Sequence, residues 1–157
     1  MSQSPLFKDR YKVLTKEFHD KLTDTTSTIT CTILEFDDKL IISLSTDGIT
    51  DITYSLELSK IEERSLILYD DDGEEYFNPS KIVPNVIIGD VSNLKDQVMA
   101  SHIGFLLNKF VQKNVILNTS GKFWFYKVKK MNDESISNDH EKLQLILGLI
   151  ESCYRLK

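Results

Sequence analysis

Residues 28–46 read TITCTILEFDDKLIISLST, two alternating segments separated by the pair Asp37-Asp38. Apolar side chains recur at alternate positions and β-branched residues are frequent, which is typical of half-buried strands. The Asp-Asp pair provides turn-forming residues, so the segment predicts a β-hairpin. A further alternating segment, Ile52 to Leu58, predicts a third strand. We expect the three strands to follow one another as an antiparallel meander.

Other short patterns extend the sheet on both sides of this meander. Tyr11 to His19 alternates loosely, and Asn85 to Asp90 is a short apolar run that ends at Gly89. Val115 to Leu117 and Lys122 to Lys129 flank a cluster of turn-forming residues and predict a second hairpin. We therefore expect a single antiparallel sheet of about six strands with an N-terminal meander.

Two segments carry the three- and four-residue apolar spacing of helices that pack on a sheet. The first runs from about Leu94 to Val111, with Asn93 as its N-cap and Asp96 in its first turn, where the helix dipole favours a carboxylate. The second runs from about Asp139 to Tyr154, after a polar connection. With one main helix in the middle and one at the C-terminus, the predicted fold class is α+β.

Length and composition predict one domain. The chain has 157 residues, of which 41% are hydrophobic and 27% charged, close to the averages of globular proteins. We expect residues 1–157 to form a single domain, with 1–10 as a flexible extension and 59–84 as an acidic loop insertion. The sequence shows neither a signal-peptide pattern nor an apolar run near the ~20 residues that span a bilayer, which disfavours secretion and membrane insertion.

The two cysteines, Cys31 and Cys153, are far apart in the sequence and form no CxxC pair. This spacing supports neither a zinc site nor a disulfide framework, and it favours a reducing, intracellular setting. Cys31 falls on the apolar face of its predicted strand and Cys153 continues the apolar stripe of the last helix. Both are predicted to be small core residues.

The acidity of the chain is concentrated in one segment. The net charge is −5, and residues 61–78 hold seven acids against Arg64 alone, a local charge of −6 that leaves +1 for the rest. This segment is either a solvated loop or a docking surface for a basic protein. The segment does not match an EF-hand calcium loop. That loop has glycine at its sixth position, and aligning Gly73 there places Leu68, which has no side-chain oxygen, at the first ligand position. The candidate partner-binding residues are Asp70, Asp71, Asp72, Glu74 and Glu75.

Residues 122–130 read KFWFYKVKK and interleave aromatic with basic side chains. On a strand, Phe123 and Phe125 would share one face while Trp124 and Tyr126 share the other, so both faces would need cover. A dimer or partner interface and an internal core remain open alternatives, and a platform for single-stranded nucleic acid is the third. Nucleic acid is disfavoured as a partner because the main single-sign segment is acidic. These four aromatic residues are candidate partner-binding residues.

The sequence contains no arrangement typical of catalysis. It lacks a GxSxG motif, an HExxH motif and a Gly-rich phosphate loop. His19, His102 and His140 fall in different predicted elements, which favours ordinary packed or solvated histidines. No catalytic, cofactor-binding or metal-binding residue is assigned, and no enzyme is expected.

Three parts of the sequence carry a resemblance to a known family. They are TITCTI at 28–33 with KLIISLSTDG at 39–48 and YSLE at 54–57, NVIIGD at 85–90 before a long helix, and a Leu-rich last helix that ends ESCY at 151–154. Together with the order of the elements, they resemble the proteasome assembly chaperone family, in particular the third proteasome assembly chaperone and its fungal heterodimer-forming relatives. The resemblance covers the chain from about Tyr11 to Tyr154.

The resemblance implies a non-enzymatic chaperone that dimerises, with itself or with a related chain. Such a chaperone binds an alpha-type subunit of the 20S proteasome, promotes assembly of the alpha ring and then dissociates, in the cytoplasm and also in the nucleus. In that family the loop corresponding to Ser59–Pro84 is mobile and is connected with subunit contacts. Two alternatives remain, namely a generic α+β adaptor or scaffold subunit of another complex, of roadblock-like or longin-like type, and a small-molecule enzyme.

Overall fold

The computed structural model describes residues 10–60, 67–69, 71–73, 75–77, 82–124 and 133–156. Within these residues the strands are β1 (Tyr11–Asp20), β2 (Thr25–Glu35), β3 (Lys39–Thr46), β4 (Ile52–Leu56), β5 (Ile67–Tyr69), β6 (Glu75–Phe77), β7 (Asn85–Ile88) and β8 (Asn114–Thr119). The helices are α1 (Leu94–Asn108) and α2 (Asp133–Tyr154), with 3₁₀ turns at Leu58–Lys60 and Gly121–Trp124. Neither α-helix of this described part is long and apolar enough to cross a membrane.

Six strands form one sheet in the order β1-β2-β3-β8-β4-β7, and α1 and α2 each bury one apolar side against the same face of it. The predicted α+β class, with one sheet, a middle helix and a C-terminal helix, is confirmed. The N-terminal meander consists of β1, β2 and β3, and its ladders align Leu14, Cys31 and Leu44 across the three strands. Alternation along β2 turns Ile29, Cys31 and Ile33 into the core, where each is almost fully buried.

The predicted meander is wrong at its third strand, because β4 does not lie beside β3. β8 lies between them, parallel to β3 and antiparallel to β4, so the sheet is mixed rather than wholly antiparallel. β8 buries Val115 and Leu117 on one face and carries the half-buried Ile116 on the other. A strand that is apolar on both faces suits a central position. Alternation determines which face of a strand is buried, but it does not determine the neighbouring strand.

Both helices lie close to their predicted positions. α1 begins at Leu94, and the side chain of Asn93 caps it by accepting a hydrogen bond from the backbone N–H of Asp96 at 3.1 Å. α1 ends slightly earlier than predicted, and α2 begins at Asp133 rather than Asp139. The residues of α2 that are buried against the sheet share a three- and four-residue spacing and are Ile146, Leu149, Ile150 and Cys153.

The predicted second hairpin is wrong in the part that the structure describes. After β8 the chain enters the 3₁₀ turn Gly121–Trp124, so Phe123 and Trp124 do not lie on a strand. The turn directs both rings into the interior, where 6% and 7% of their surfaces stay exposed. This placement corresponds to the internal-core alternative for these two residues. Phe125 and Tyr126 lie outside the described residues.

The predicted acidic insertion contains a small hairpin. β5 and β6 pair antiparallel in a separate two-stranded sheet, and Gly73 adopts φ +80° between them. Glycine reaches this left-handed region without steric cost, which suits a tight turn. Most of the predicted N-terminal extension, residues 1–9, lies outside the described residues.

Gly89→Ala is expected to lower the free energy of unfolding by about 2 kcal/mol. Gly89 has φ +110°, and an added Cβ would lie 2.6 Å from the backbone oxygen of Asp51. Gly148 in α2 is a matched control, because nothing lies within 4 Å of its added Cβ. Gly148→Ala should therefore increase stability by about 0.5–1 kcal/mol through helix propensity. Urea unfolding measures the stability of both variants. Equal effects of the two substitutions would contradict a backbone constraint at Gly89.

Candidate interaction site

The face of the six-stranded sheet opposite the helices, here called the open face, carries an apolar row. The strand registers align Tyr11, Leu34, Ile41 and Ile116 across four neighbouring strands. Leu34, Ile41 and Ile116 are half-buried, and Tyr11 at the sheet edge is 48% exposed. A flat row of aliphatic side chains on a sheet surface suits packing against a second sheet.

A polar row runs beside the apolar row on the open face. Asn118 donates from Nδ2 to Oγ of Ser43 at 3.0 Å, and Thr53 donates from Oγ1 to Oδ1 of Asn118 at 2.8 Å. These bonds fix the orientation of the Asn118 amide and satisfy polar groups that an interface would remove from water. The open face therefore combines apolar surface with a polar row that already has partners.

A second apolar surface, the β7–α1 ridge, consists of Ile87, Ile88, Val91, Leu94 and Val98. Each of these five aliphatic side chains is between 55% and 69% exposed. Gln97 ties the β7–α1 connection to the helix, because its Nε2 donates to the backbone oxygen of Val91. Single exposed aliphatic residues are normal, whereas five within twelve consecutive positions concentrate apolar surface in one segment of the chain.

A groove of about 330 Å³ adjoins the ridge between α1 and α2. Its apolar lining comes from Leu94, Val98, Met99, Trp124 and Leu143. The ion pair between Lys95 Nζ and an Asp139 carboxylate oxygen, 2.8 Å apart, joins the two helices at the same place. The groove is therefore apolar in its lining and charged at its border.

A buried carboxylate holds the inner side of this region together. Asp96 is fully buried in the first turn of α1. It accepts hydrogen bonds from Tyr54 Oη at 2.7 Å, from Thr119 Oγ1 and from Trp124 Nε1 at 3.1 Å. These donors belong to β4, β8 and the 3₁₀ turn, so one side chain joins four elements. Burial raises the pKa of the Asp96 carboxyl, and the three donors oppose that rise only in part.

The position of Asp96 within the apolar stripe of α1 indicates this cluster in the sequence. Asp96 lies at three- and four-residue spacing from Met99, Ala100 and Ile103, which are all buried on the inner face of α1. A polar residue on the buried stripe of a helix requires hydrogen-bond partners. Its partners, which follow from the tertiary fold, are remote in sequence.

A second buried cluster joins the first half of α2 to the end of β1. Lys142 Nζ is 3.0 Å from Asp20 Oδ2 and donates to the backbone oxygen of Phe123 at 2.6 Å. Asp20 also accepts from the backbone N–H of Leu22 at 2.9 Å and from Nδ2 of Asn138 at 3.2 Å. Burial alone would raise the pKa of the Asp20 carboxyl, but these hydrogen bonds and the Lys142 charge bring it below its usual range.

The two cysteines, far apart in the sequence, meet in the core, where Cys153 Sγ donates to the backbone oxygen of Cys31 at 3.6 Å. Cys31 and Cys153 are buried, as predicted, and burial raises the pKa of both thiols, which keeps them protonated. His19, His102 and His140 lie on β1, α1 and α2. Within the described residues, no three His, Cys, Asp or Glu side chains are placed to hold a metal ion.

The predicted partner-binding residues that the structure describes differ in exposure. Asp71 and Asp72 are exposed in the turn between β5 and β6, and β6 begins at Glu75. Asp70 and Glu74 lie outside the described residues. Phe123 and Trp124 lie in the interior, whereas Asp71 and Asp72 are exposed. The sequence missed both the open face and the β7–α1 ridge as candidate surfaces.

Comparison with known proteins identifies the family. The model of a family described as 20S proteasome chaperone assembly proteins 3 and 4 matches residues 7–151. No curated protein matches the sequence. A solved structure described as a novel chaperone complex for yeast 20S proteasome assembly has a chain of similar fold, with a TM-score of 0.54 and 19% identity. The similarity covers 90% of this chain and 98% of that one.

The family match spans nearly the entire described structure, including the six-stranded sheet, α1 and most of α2. The similar yeast chain confirms the fold independently of the sequence match. The chain therefore belongs to the family of 20S proteasome chaperone assembly proteins 3 and 4.

Proposed function

We propose that the chain is a non-enzymatic proteasome assembly chaperone subunit. It dimerises with a related chain, binds an alpha-type 20S subunit, promotes assembly of the alpha ring and then dissociates. The family match over residues 7–151 carries this proposal. The buried, protonated thiols and the scattered histidines support a role in binding rather than turnover. We place this function in the cytoplasm and also in the nucleus.

The open face is the surface that we assign to dimerisation. Its apolar row is only half-buried in the single chain, and a second sheet packed about 10 Å away would complete its burial. The polar row beside it has its hydrogen bonds within the chain, so burial there leaves few polar groups without partners. This assignment replaces the aromatic segment as the dimer surface, since Phe123 and Trp124 are covered by their own chain.

Ile41→Lys and Ile116→Lys are each expected to weaken the dimer at least about tenfold, because each places a charge in the middle of the apolar row. Sedimentation velocity of the purified protein with its copurifying partner, at low micromolar concentration, measures the change. Ile136→Lys, at a 52% exposed position on α2, is the matched control and should leave the dimer unchanged. A parent protein that sediments as a monomer without its partner bound would contradict dimerisation.

The acidic segment is the element that we assign to encounter with the alpha-type subunit. Asp71 and Asp72 are exposed at the tip of the β5–β6 hairpin, a position from which carboxylates act on an approaching surface. Exposed charges of this kind accelerate association and set orientation more than they raise affinity. A chaperone that must later leave benefits from fast association without very tight binding.

Neutralising the five candidate acids together, as amides, is expected to slow association about tenfold at low salt and to flatten its salt dependence. Surface-binding rates for an alpha-type subunit at low and high salt measure both effects. The substitutions are Asp70→Asn, Asp71→Asn, Asp72→Asn, Glu74→Gln and Glu75→Gln. Asp37→Asn with Asp38→Asn, in the exposed β2–β3 turn, is the control. An unchanged rate and salt slope would make the segment a solubilising loop.

Affinity isolation of the native chain followed by mass spectrometry tests the proposed function as a whole. We expect a related chaperone chain and alpha-type proteasome subunits among the stoichiometric partners. Stable partners from a different complex, without alpha-type subunits, would instead favour an adaptor or scaffold role.

A further inference from the structure

The β7–α1 ridge is exposed in a way that folding of the single chain does not explain. Val91 and Leu94 are each 69% exposed, and Val98 is 55% exposed on the next turn of α1. The inner residues of α1 already bury a full stripe against the core, so the helix is apolar on two sides. A helix with two apolar sides requires a second partner if both are to leave water.

Ile88 pairs with Thr53 and so lies on the open face, whereas Leu94 and Val98 lie on α1, which packs against the other face. Ile87 is the extra residue of a bulge, because Tyr54 pairs with Val86 and Thr53 with Ile88. Bulges on edge strands redirect side chains and discourage further strand pairing. The bulge makes β7 a poor edge for pairing with a further strand. We therefore expect a partner to contact the ridge through side chains.

Charges at the border of the ridge indicate the chemistry of its partner. Asp90 follows β7 and is exposed, and Asp51 lies beside Gly89 at the same end of the sheet. The hydrogen bonds from Ser92 lower the pKa of the Asp90 carboxyl, which keeps it ionised. Among the described ion pairs, none includes Asp51 or Asp90, whereas Lys95 is paired with Asp139. An apolar ridge with an anionic border fits an apolar surface with a cationic border.

We infer that the β7–α1 ridge is the docking surface for the alpha-type subunit, through an aliphatic patch on that subunit flanked by Lys or Arg. This inference rests on the proposed function, and it assigns the contact with the alpha-type subunit to residues 87–98. The acidic hairpin accelerates the encounter, the ridge supplies the buried area of the bound state, and the open face holds the chaperone pair.

Two substitutions at Val91 separate the apolar and electrostatic contributions. Val91 lies in a turn and is largely exposed, so Val91→Lys and Val91→Asp should leave the unfolding midpoint close to that of the parent. Both remove apolar contact, but Val91→Lys also opposes a cationic border. We expect about tenfold weaker binding of the alpha-type subunit for Val91→Asp and a larger loss for Val91→Lys, both measured by titration with the chaperone pair.

Leu94→Asp provides a second variant that preserves the fold. Leu94 is the first residue of α1, where a carboxylate is favoured by the helix dipole, so the substitution removes the side chain without weakening the helix. Phe36→Lys, at a 39% exposed position in the β2–β3 turn at the opposite end of the sheet, is the matched control. We expect Leu94→Asp to lose about tenfold in affinity and Phe36→Lys to bind like the parent.

The outcomes distinguish this inference from the proposed function. If the parent pair binds alpha-type subunits and the ridge variants bind equally well, the ridge is not the docking surface, although the proposed function stands. If the ridge variants lose the chaperone partner in sedimentation velocity, the ridge belongs to the dimer and the inference is wrong. A loss as large for Phe36→Lys would also overturn it. A parent that binds no alpha-type subunit overturns both proposals.

Discussion

Trp124→Ala is expected to lower the free energy of unfolding by about 3–5 kcal/mol. Trp124 is 7% exposed and packs edge-on against the Phe123 ring, with 5.2 Å between the ring centroids. Its removal leaves a cavity and also removes the Nε1 donor from the buried carboxylate of Asp96. Urea unfolding at pH 7 measures the loss.

Trp124→Phe separates these two contributions, since it keeps most of the ring and removes the N–H. We expect a loss of about 1–3 kcal/mol for this variant, the cost of leaving a buried acceptor with fewer donors. Phe36→Ala, at a 39% exposed turn position, is the control and should change stability by less than about 1 kcal/mol. If Trp124→Ala keeps the stability of the parent but no longer binds its partner, Trp124 belongs to the interface and not to the core.

Lys142→Met is expected to lower the free energy of unfolding by about 3 kcal/mol at pH 7. The substitution keeps most of the apolar stem but leaves Asp20, which is 6% exposed, without its cation. It also removes the hydrogen bond to the backbone oxygen of Phe123 and the charge above that ring. Adding Asp20→Asn should recover part of the loss, because an uncharged pair needs no compensation for buried charge.

The difference between Lys142→Met and the parent should depend on pH. The folded-state pKa of Asp20 lies below its unfolded value, so the pair contributes its full stability above the unfolded pKa of about 3.9. That contribution is lost as the pH falls through the lower, folded-state pKa. Unfolding curves at pH 7 and below pH 4 should therefore show a smaller difference in acid.

Lys21→Met is the matched control for Lys142→Met. Lys21 lies 4.0 Å from Glu141, and both side chains are well exposed, so the substitution should cost less than about 0.5 kcal/mol. Equal losses for the two lysines would show that solvent screens the Lys142–Asp20 pair as it screens a surface pair.

The six strands of the main sheet and both helices could be predicted from the sequence, and the neighbours of the strands only in part. The alternation in residues 28–46 and the apolar stripe of α2 each depend on side chains a few positions apart. The local sequence pattern was therefore sufficient to predict these strands and this helix. The position of β8 between β3 and β4 depends on residues about seventy positions apart. The aromatic residues after Gly121 were predicted to alternate on a strand, whereas the chain bends there and turns Phe123 and Trp124 inward.

The candidate surfaces were less accessible to sequence reasoning, because exposure depends on the whole fold. Leu94 and Val98 have the spacing of a core stripe, and the sequence alone assigns them to the core. The structure shows that Met99, Ala100 and Ile103 fill that role, which leaves Leu94 and Val98 outside. Lys142 gave a usable signal, since it continues the buried spacing of Ile146, Leu149 and Ile150 toward the start of the helix.

The place of β8 in the sheet bears on the order in which the chain folds during synthesis. β1, β2 and β3 are neighbours in sequence and can pair as soon as they leave the ribosome. β4 must then wait, because the strand that joins it to β3 begins only at Asn114. Until that residue has been translated, β3 and β4 each keep a bare edge, the condition in which nascent chains associate wrongly. A protein that assists the assembly of others thus passes through an interval in which its own sheet is incomplete.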